Sequence, residues 1–171
     1  MLHHGVYYKQ MKTTNIILDD VFDSNSVNAI LNFLDNSTSI SKWYGLKDKH
    51  VHADLCLGLL NIASRYYEIS SCIGYEFWTR LNTCVEGWHY DKDERLSENK
   101  KVTSFPLCSI IYYPYIRNLK GGRLLLEDDI ITPKSNRLVI FAPGIYHNVE
   151  DFTGERIAVL LNPWDKNVSD V

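Results

Sequence analysis

From residue 73 to 163 the chain is written in short runs of Ile, Val, Leu, Tyr, Phe, Trp and Thr, each cut off by Gly, Pro, Asn or Asp. This texture constrains the fold more than any other feature. β-Branched and aromatic side chains suit a pleated, half-buried surface, and the interrupting residues supply turns. The runs place strands near residues 76–82, 102–115, 122–126, 137–141 and 155–163, with a short strand around His147. Ahead of them lie a short apolar strand, 15–18, and two helical patterns. In the first, 23–34, Val27, Ile30, Leu31 and Leu34 share one face behind the capping candidates Asp23, Ser24 and Asn25. In the second, 51–70, Leu55, Leu59, Ile62, Ala63 and Tyr66 form the apolar stripe. Two helices ahead of many short strands predict an α+β fold, with the helices backing a sandwich or barrel of antiparallel strands.

The chain has 171 residues, enough for one core and too few for two full catalytic domains. No repeat and no Pro/Gly/Ser-rich linker divides it, so a single domain over 1–171 is expected, with a helical part at about 20–70 and a strand-rich core at about 73–164. Its 18 Lys and Arg against 21 Asp and Glu leave a net charge of −3 without a basic cluster, so nucleic acid is not an expected partner. No apolar run approaches the roughly 18–20 residues that cross a bilayer, so no membrane association is expected. Residues 1–12 lack the pattern of a secretory signal, which predicts a cytoplasmic protein. Cys56, Cys72, Cys84 and Cys108 form no CxxC pair and sit in apolar surroundings, as reduced core thiols do.

The sharpest chemical feature is His89-Tyr90-Asp91. In an extended segment alternate side chains point the same way, so an imidazole and a carboxylate could converge on one ion. A third ligand is available at His147, just beyond the apolar run 137–141. Two imidazoles and one carboxylate form the facial triad of non-haem Fe(II) oxygenases, which leaves three of six octahedral positions open. Zn(II) accepts the same set. His50-Val51-His52 has similar spacing but no matching carboxylate and leads into a helical pattern, so it reads as a surface pair; His3 and His4 fall in an N-terminal tail.

Read in order, His89-Tyr90-Asp91, Ser109-Ile110-Ile111-Tyr112-Tyr113, Gly121-Gly122-Arg123-Leu124, the Pro133-Lys134 to Arg137-Leu138 stretch, His147-Asn148-Val149 and Glu155-Arg156-Ile157 form six blocks. In order and spacing they resemble the prolyl 4-hydroxylase-like branch of the Fe(II)/2-oxoglutarate-dependent dioxygenases, over about residues 75–164. That resemblance implies a double-stranded β-helix (jelly-roll) core. It also implies an oxidoreductase that uses Fe(II), 2-oxoglutarate and O2, with ascorbate as an optional addition, and hydroxylates an unactivated C–H bond.

The resemblance further implies His89, Asp91 and His147 as iron ligands and Arg156 as the partner of the distal carboxylate of 2-oxoglutarate. A planar guanidinium suits that task, since it offers parallel donors to a carboxylate. On the residues alone, Arg156 reads as a strand-edge partner of Glu155 or Asp151. Tyr113 matches a phenol that bonds the same carboxylate, with Tyr112 on the opposite strand face. Thr79, ten residues ahead of His89, falls where relatives place a residue near the other end of the cosubstrate. Trp78, Trp88 and Tyr90 read as core packing or as walls of the site. Two departures from the pattern are the absence of a Tyr before the HxD motif and a charged stretch, 92–101, that reads as a solvated loop. The substrate stays open among a peptidyl residue, a free amino acid and a small metabolite, as does the oligomeric state. Two other readings stand beside the oxygenase: a catalytically silent jelly roll that binds a metal or ligand, and a Zn(II) hydrolase.

Overall fold

A computed structural model describes residues 15–34, 41–82 and 87–168. His3, His4 and Cys84 lie outside that set. In chain order the elements are β1 (Ile16–Asp19), α1 (Ser24–Phe33), β2 (Lys42–Gly45), α2 (Ala53–Ala63), β3 (Gly74–Leu81), α3 (Glu94–Lys100), β4 (Ser109–Gly121), β5 (Leu124–Leu126), β6 (Asp129–Ile131), β7 (Arg137–Phe141), β8 (His147–Val149) and β9 (Phe152–Trp164). The strands form a six-stranded sheet, β1-β7-β4-β9-β3-β2, and a three-stranded sheet, β6-β5-β8, with antiparallel pairing throughout. This is the expected jelly-roll core backed by helices.

Alternation along the strands sends their residues to two cores. Ile110 and Tyr112 of β4, Leu138 and Ile140 of β7, and Val159 and Leu161 of β9 meet Cys56, Leu59, Leu60 and Ala63 of α2 on the outer face of the large sheet. Their neighbours Ile111, Tyr113, Val139, Phe141 and Ala158 face inward, against Leu124 and Leu126 of the small sheet. A buried side chain of this size contributes about 1.5–3 kcal/mol, so a one-residue slip that exchanged the faces would be strongly opposed.

Local chemistry explains most of the boundaries. Asp23 caps α1 by accepting from the Asn25 and Ser26 amides, both at 2.9 Å. The α2 helix is shorter than its pattern, ending at Ala63, and Tyr66 lies exposed beyond it. β4 begins at Ser109 rather than near 102 and continues past 115 through two register shifts. The first spans Pro114, which has no N–H to give to a ladder. Gly121, the last residue of β4, and Gly122, at φ 79° and 72°, turn the chain toward β5. Asn136, at φ 59°, bonds the Phe22 amide and carbonyl and accepts from the Tyr112 hydroxyl, tying the turn before β7 to the start of α1.

Three elements lay outside the sequence reading. β2 and β6 are short edge strands. The charged stretch after Asp91 is not a loop: Asp93, almost fully buried, accepts from the Leu96 amide and starts α3, which Lys101 closes in the left-handed conformation at φ 56°. The sequence has the N-cap and the mixed charges of a one-to-two-turn surface helix, but no apolar stripe that would mark it. Cys56, Cys72 and Cys108 are free thiols, as expected.

Candidate metal centre

His89 and His147 face each other in an isolated antiparallel bridge. Each amide donates to the other's carbonyl, both at 2.9 Å, so the two rings stand side by side with centroids 4.3 Å apart. Each ring is oriented by the same local device: His89 Nδ1 lies 2.9 Å from the Gly87 carbonyl, and His147 Nδ1 lies 2.9 Å from the Ile145 carbonyl. A carbonyl oxygen only accepts, so the proton belongs on Nδ1 and the lone pair on Nε2. Both Nε2 atoms point at one oxygen of Asp91, Oδ1, at 3.9 Å from His89 and 3.8 Å from His147. The three ligand atoms lie within 4.8 Å of one another.

The second oxygen of Asp91 is held as well. Ser109, at the start of β4 and buried, donates from Oγ to Asp91 Oδ2 at 2.5 Å. That bond turns Oδ1 toward the imidazoles. Two nitrogens and one oxygen, with fixed tautomers and an anchored carboxylate, fit a divalent metal that accepts mixed N/O ligands, Fe(II) among them.

The inward face of the large sheet leads from this cluster to Arg156. Strand register aligns Ser109 with Phe141, Ile111 with Val139 and Leu160, and Ile116 with Arg156. Tyr113, Leu124, Ile131, Val139 and Phe141 pack together between the sheets. Arg156 is 3% exposed. Its guanidinium donates to the Gly122 carbonyl at 3.3 Å and lies over the Phe152 ring, 4.4 Å from the centroid, while its amide donates to Asn82 Oδ1 at 2.8 Å. Tyr113 shares that interior; burial pushes its hydroxyl up to about 12, against the pull of the Arg156 charge. A fixed cation beside a neutral phenol in an apolar interior can pair with a carboxylate.

Thr79 lies on the other face of the large sheet. In β3 it is paired with Val159 and shares the parity of Tyr75 and Phe77, so it faces the helices rather than the interior. Trp78 and Arg80, aligned with Leu160 and Ala158, occupy the inward side instead. The expectation for Thr79 counted residues back from His89 without knowing the strand's face, and one residue of offset reverses that face. His50 and His52 also differ from expectation. They are half-buried, His50 stacked on Tyr44 with its Nε2 2.8 Å from the Tyr75 hydroxyl, and His52 stacked on Phe77. Trp88 and Tyr90 lie partly exposed against Tyr146, beside the His89, Asp91 and His147 group.

In the sequence Ser109 only opens the run Ser109–Tyr113. Its signal was its parity with Ile111 and Tyr113, which places all three on the inner face.

No protein-family model matches the chain, and no curated protein matches its sequence. Solved structures do match its fold. A Pseudomonas putida prolyl-4-hydroxylase superposes with a TM-score of 0.67 at 13% identity, over 91% of this chain and 95% of that one. A prolyl hydroxylase from Trichoplax adhaerens, in complex with a hypoxia inducible factor peptide fragment, has a TM-score of 0.60 at 18% identity, over 88% and 83%. HygX from Streptomyces hygroscopicus, with nickel and 2-oxoglutarate bound, has a TM-score of 0.54 at 14% identity, over 88% and 83%. The chain thus has the jelly-roll fold of the 2-oxoglutarate–Fe(II) oxygenases, and the convergent His89, Asp91 and His147 are set within it.

Proposed function

We propose that this chain is a single-domain Fe(II)- and 2-oxoglutarate-dependent dioxygenase that hydroxylates an unactivated C–H bond. The observation that carries the reading is the convergence of His89 Nε2, His147 Nε2 and an Asp91 oxygen within 4.8 Å, on the same interior as a buried arginine. His89, Asp91 and His147 are the metal ligands. Arg156 pairs with the distal carboxylate of 2-oxoglutarate and Tyr113 donates to it. Bound iron with 2-oxoglutarate and O2 supplies the oxidation, yielding succinate, CO2 and a hydroxylated product.

The protein's part is placement. Asp91 and the two imidazoles would hold the metal through three protein ligands, a set that suits iron chemistry with 2-oxoglutarate and O2. The apolar walls from Phe141 to Leu124 exclude water and strengthen the pairing of a carboxylate with Arg156. The zinc-hydrolase reading gives Arg156 no task, and the triad and Arg156 kept together weigh against a silent barrel.

Anaerobic titration with Fe(II) and 2-oxoglutarate tests the reading. The expected result is the weak visible charge-transfer band of the chelate in wild type and its absence in His89→Ala. Iron binding without a band would leave the metal site standing and refute the oxygenase.

A further inference from the structure

One row of the inner sheet face is polar, unlike the rows beside it. Register places Asn162 of β9 directly across from Glu76 of β3, and Glu76 across from Trp43 of β2. On the other side of Asn162 the β4–β9 register, Ile110 to Leu161, brings Ser109 opposite. Side chains opposite one another on a sheet have Cβ atoms about 4.5–5.5 Å apart. Asn162 therefore lies between Glu76 and the serine that holds Asp91.

Asn162 is 3% exposed, and among the described residues its amide makes no hydrogen bond. It has the inward parity of Ala158 and Leu160, so the amide faces the interior beside the metal cluster. Unlike the sealed, unpartnered indole nitrogen of Trp43, the Asn162 amide atoms stay reachable, so a ligand atom can bond them. Glu76 is equally unusual. Its carboxylate accepts from the Trp164 indole at 2.8 Å and the Ser41 hydroxyl at 3.3 Å, both neutral donors. Among the described residues it has no cationic partner, whereas nearby Asp93 has Lys166 at 3.8 Å. Burial, and to a lesser degree the Asp91 and Asp93 carboxylates, push it above the usual range, as expected of an uncompensated charge.

The loaded site would not supply the missing charge. A divalent metal with Asp91, and the 2-oxoglutarate dianion with Arg156, are together neutral. Glu76 keeps capacity for further donors, since a carboxylate offers about four acceptor sites.

We propose that Glu76 and Asn162 form the substrate-recognition subsite of this centre, taking a substrate that carries a protonated amine: the amine pairs with Glu76 and the Asn162 amide bonds a neighbouring polar atom. The inference rests on the oxygenase reading. Free amino acids and lysine side chains of peptides share this chemistry.

The probes are the proteinogenic L-amino acids, their Nα-acetyl derivatives, and a lysine-containing peptide with a blocked N-terminus. Binding is read by calorimetry on the full chain with and without Mn(II), and coupling by amine-stimulated succinate release with Fe(II), 2-oxoglutarate and O2. The expected result is that an amine probe binds and stimulates while its acetylated form does not, with free amino acids or the peptide responding according to the source of the amine. Glu76→Gln should weaken that probe about tenfold or more while leaving 2-oxoglutarate affinity unchanged. Asn162→Ser should weaken it less, and serves if Glu76→Gln does not fold. A chelate band together with equal responses to amine and acetylated probes, no amine response, or no effect of the variants overturns the subsite and leaves the oxygenase standing. No chelate band, with Glu76-dependent amine binding retained, refutes the oxygenase and upholds the amine site.

Discussion

Replacing Ser109 with alanine isolates what the support of Asp91 contributes to metal binding. The hydroxyl donates to Asp91 Oδ2 at 2.5 Å, and the serine is 2% exposed, so water has little access to take its place. Hydrogen bonds to charged groups are worth about 1.5–3 kcal/mol. At 1.4 kcal/mol per factor of ten, full loss corresponds to roughly 10- to 150-fold, in line with the 10–100-fold typical of residues that orient a metal ligand. Without the bond the carboxylate can rotate, and binding must then order it again. Metal affinity is measured by Mn(II) or Fe(II) competition against a chelator, and folding by urea denaturation of the same preparations. A weakening of about tenfold or more in a chain that still folds is expected. An unchanged dissociation constant would show that the two imidazoles alone position Asp91, and would refute the reasoning.

Three further perturbations follow from other parts of the molecule. Arg156→Gln should raise the dissociation constant for 2-oxoglutarate by about 100-fold, as expected when a charge-assisted fork is lost, while Mn(II) affinity stays put; equal loss of both would point to a folding role. Gly154→Ala should cost about 2 kcal/mol or more in urea denaturation, because Gly154 has φ 99° and an added Cβ would collide with the Asn118 carbonyl. The Asp19 carboxylate is hydrogen-bonded by Arg137 and Lys134, which hold it well below the ordinary value of 3.8. A lowered folded-state pKa stabilises the fold above that ordinary value and loses the contribution as pH falls below it. Asp19→Asn should therefore flatten the stability profile below about pH 4, and a profile of undiminished steepness would count against this pair.

The strand pattern was legible because β-structure repeats every two residues and one side of each strand is buried. Arg137 to Phe141 alternates between two cores, and its bounds are those read from the sequence. Boundaries set by geometry were less legible. The extension of β4 beyond 115 depends on register shifts around Pro114, which pairing with β9 decides. β2 and β6 are short edges stabilised by their neighbours, and α3 has no apolar stripe to announce it.

The sequence by itself supplied the chemical inventory: two histidines, an aspartate and an arginine, in an order and spacing that resemble a known family, within strands whose apolar content demanded a core. It could not say which way a strand faces, because a count of residues along the chain cannot tell two faces apart. Only the tertiary structure decided that Thr79 looks toward the helices, that Ser109 holds Asp91, and that Asn162 and Glu76 meet beside it. Those relations run between strands far apart in the chain. They exist only because cross-strand register, fixed by burial of the two cores, brings residues dozens of positions apart to within a few ångströms.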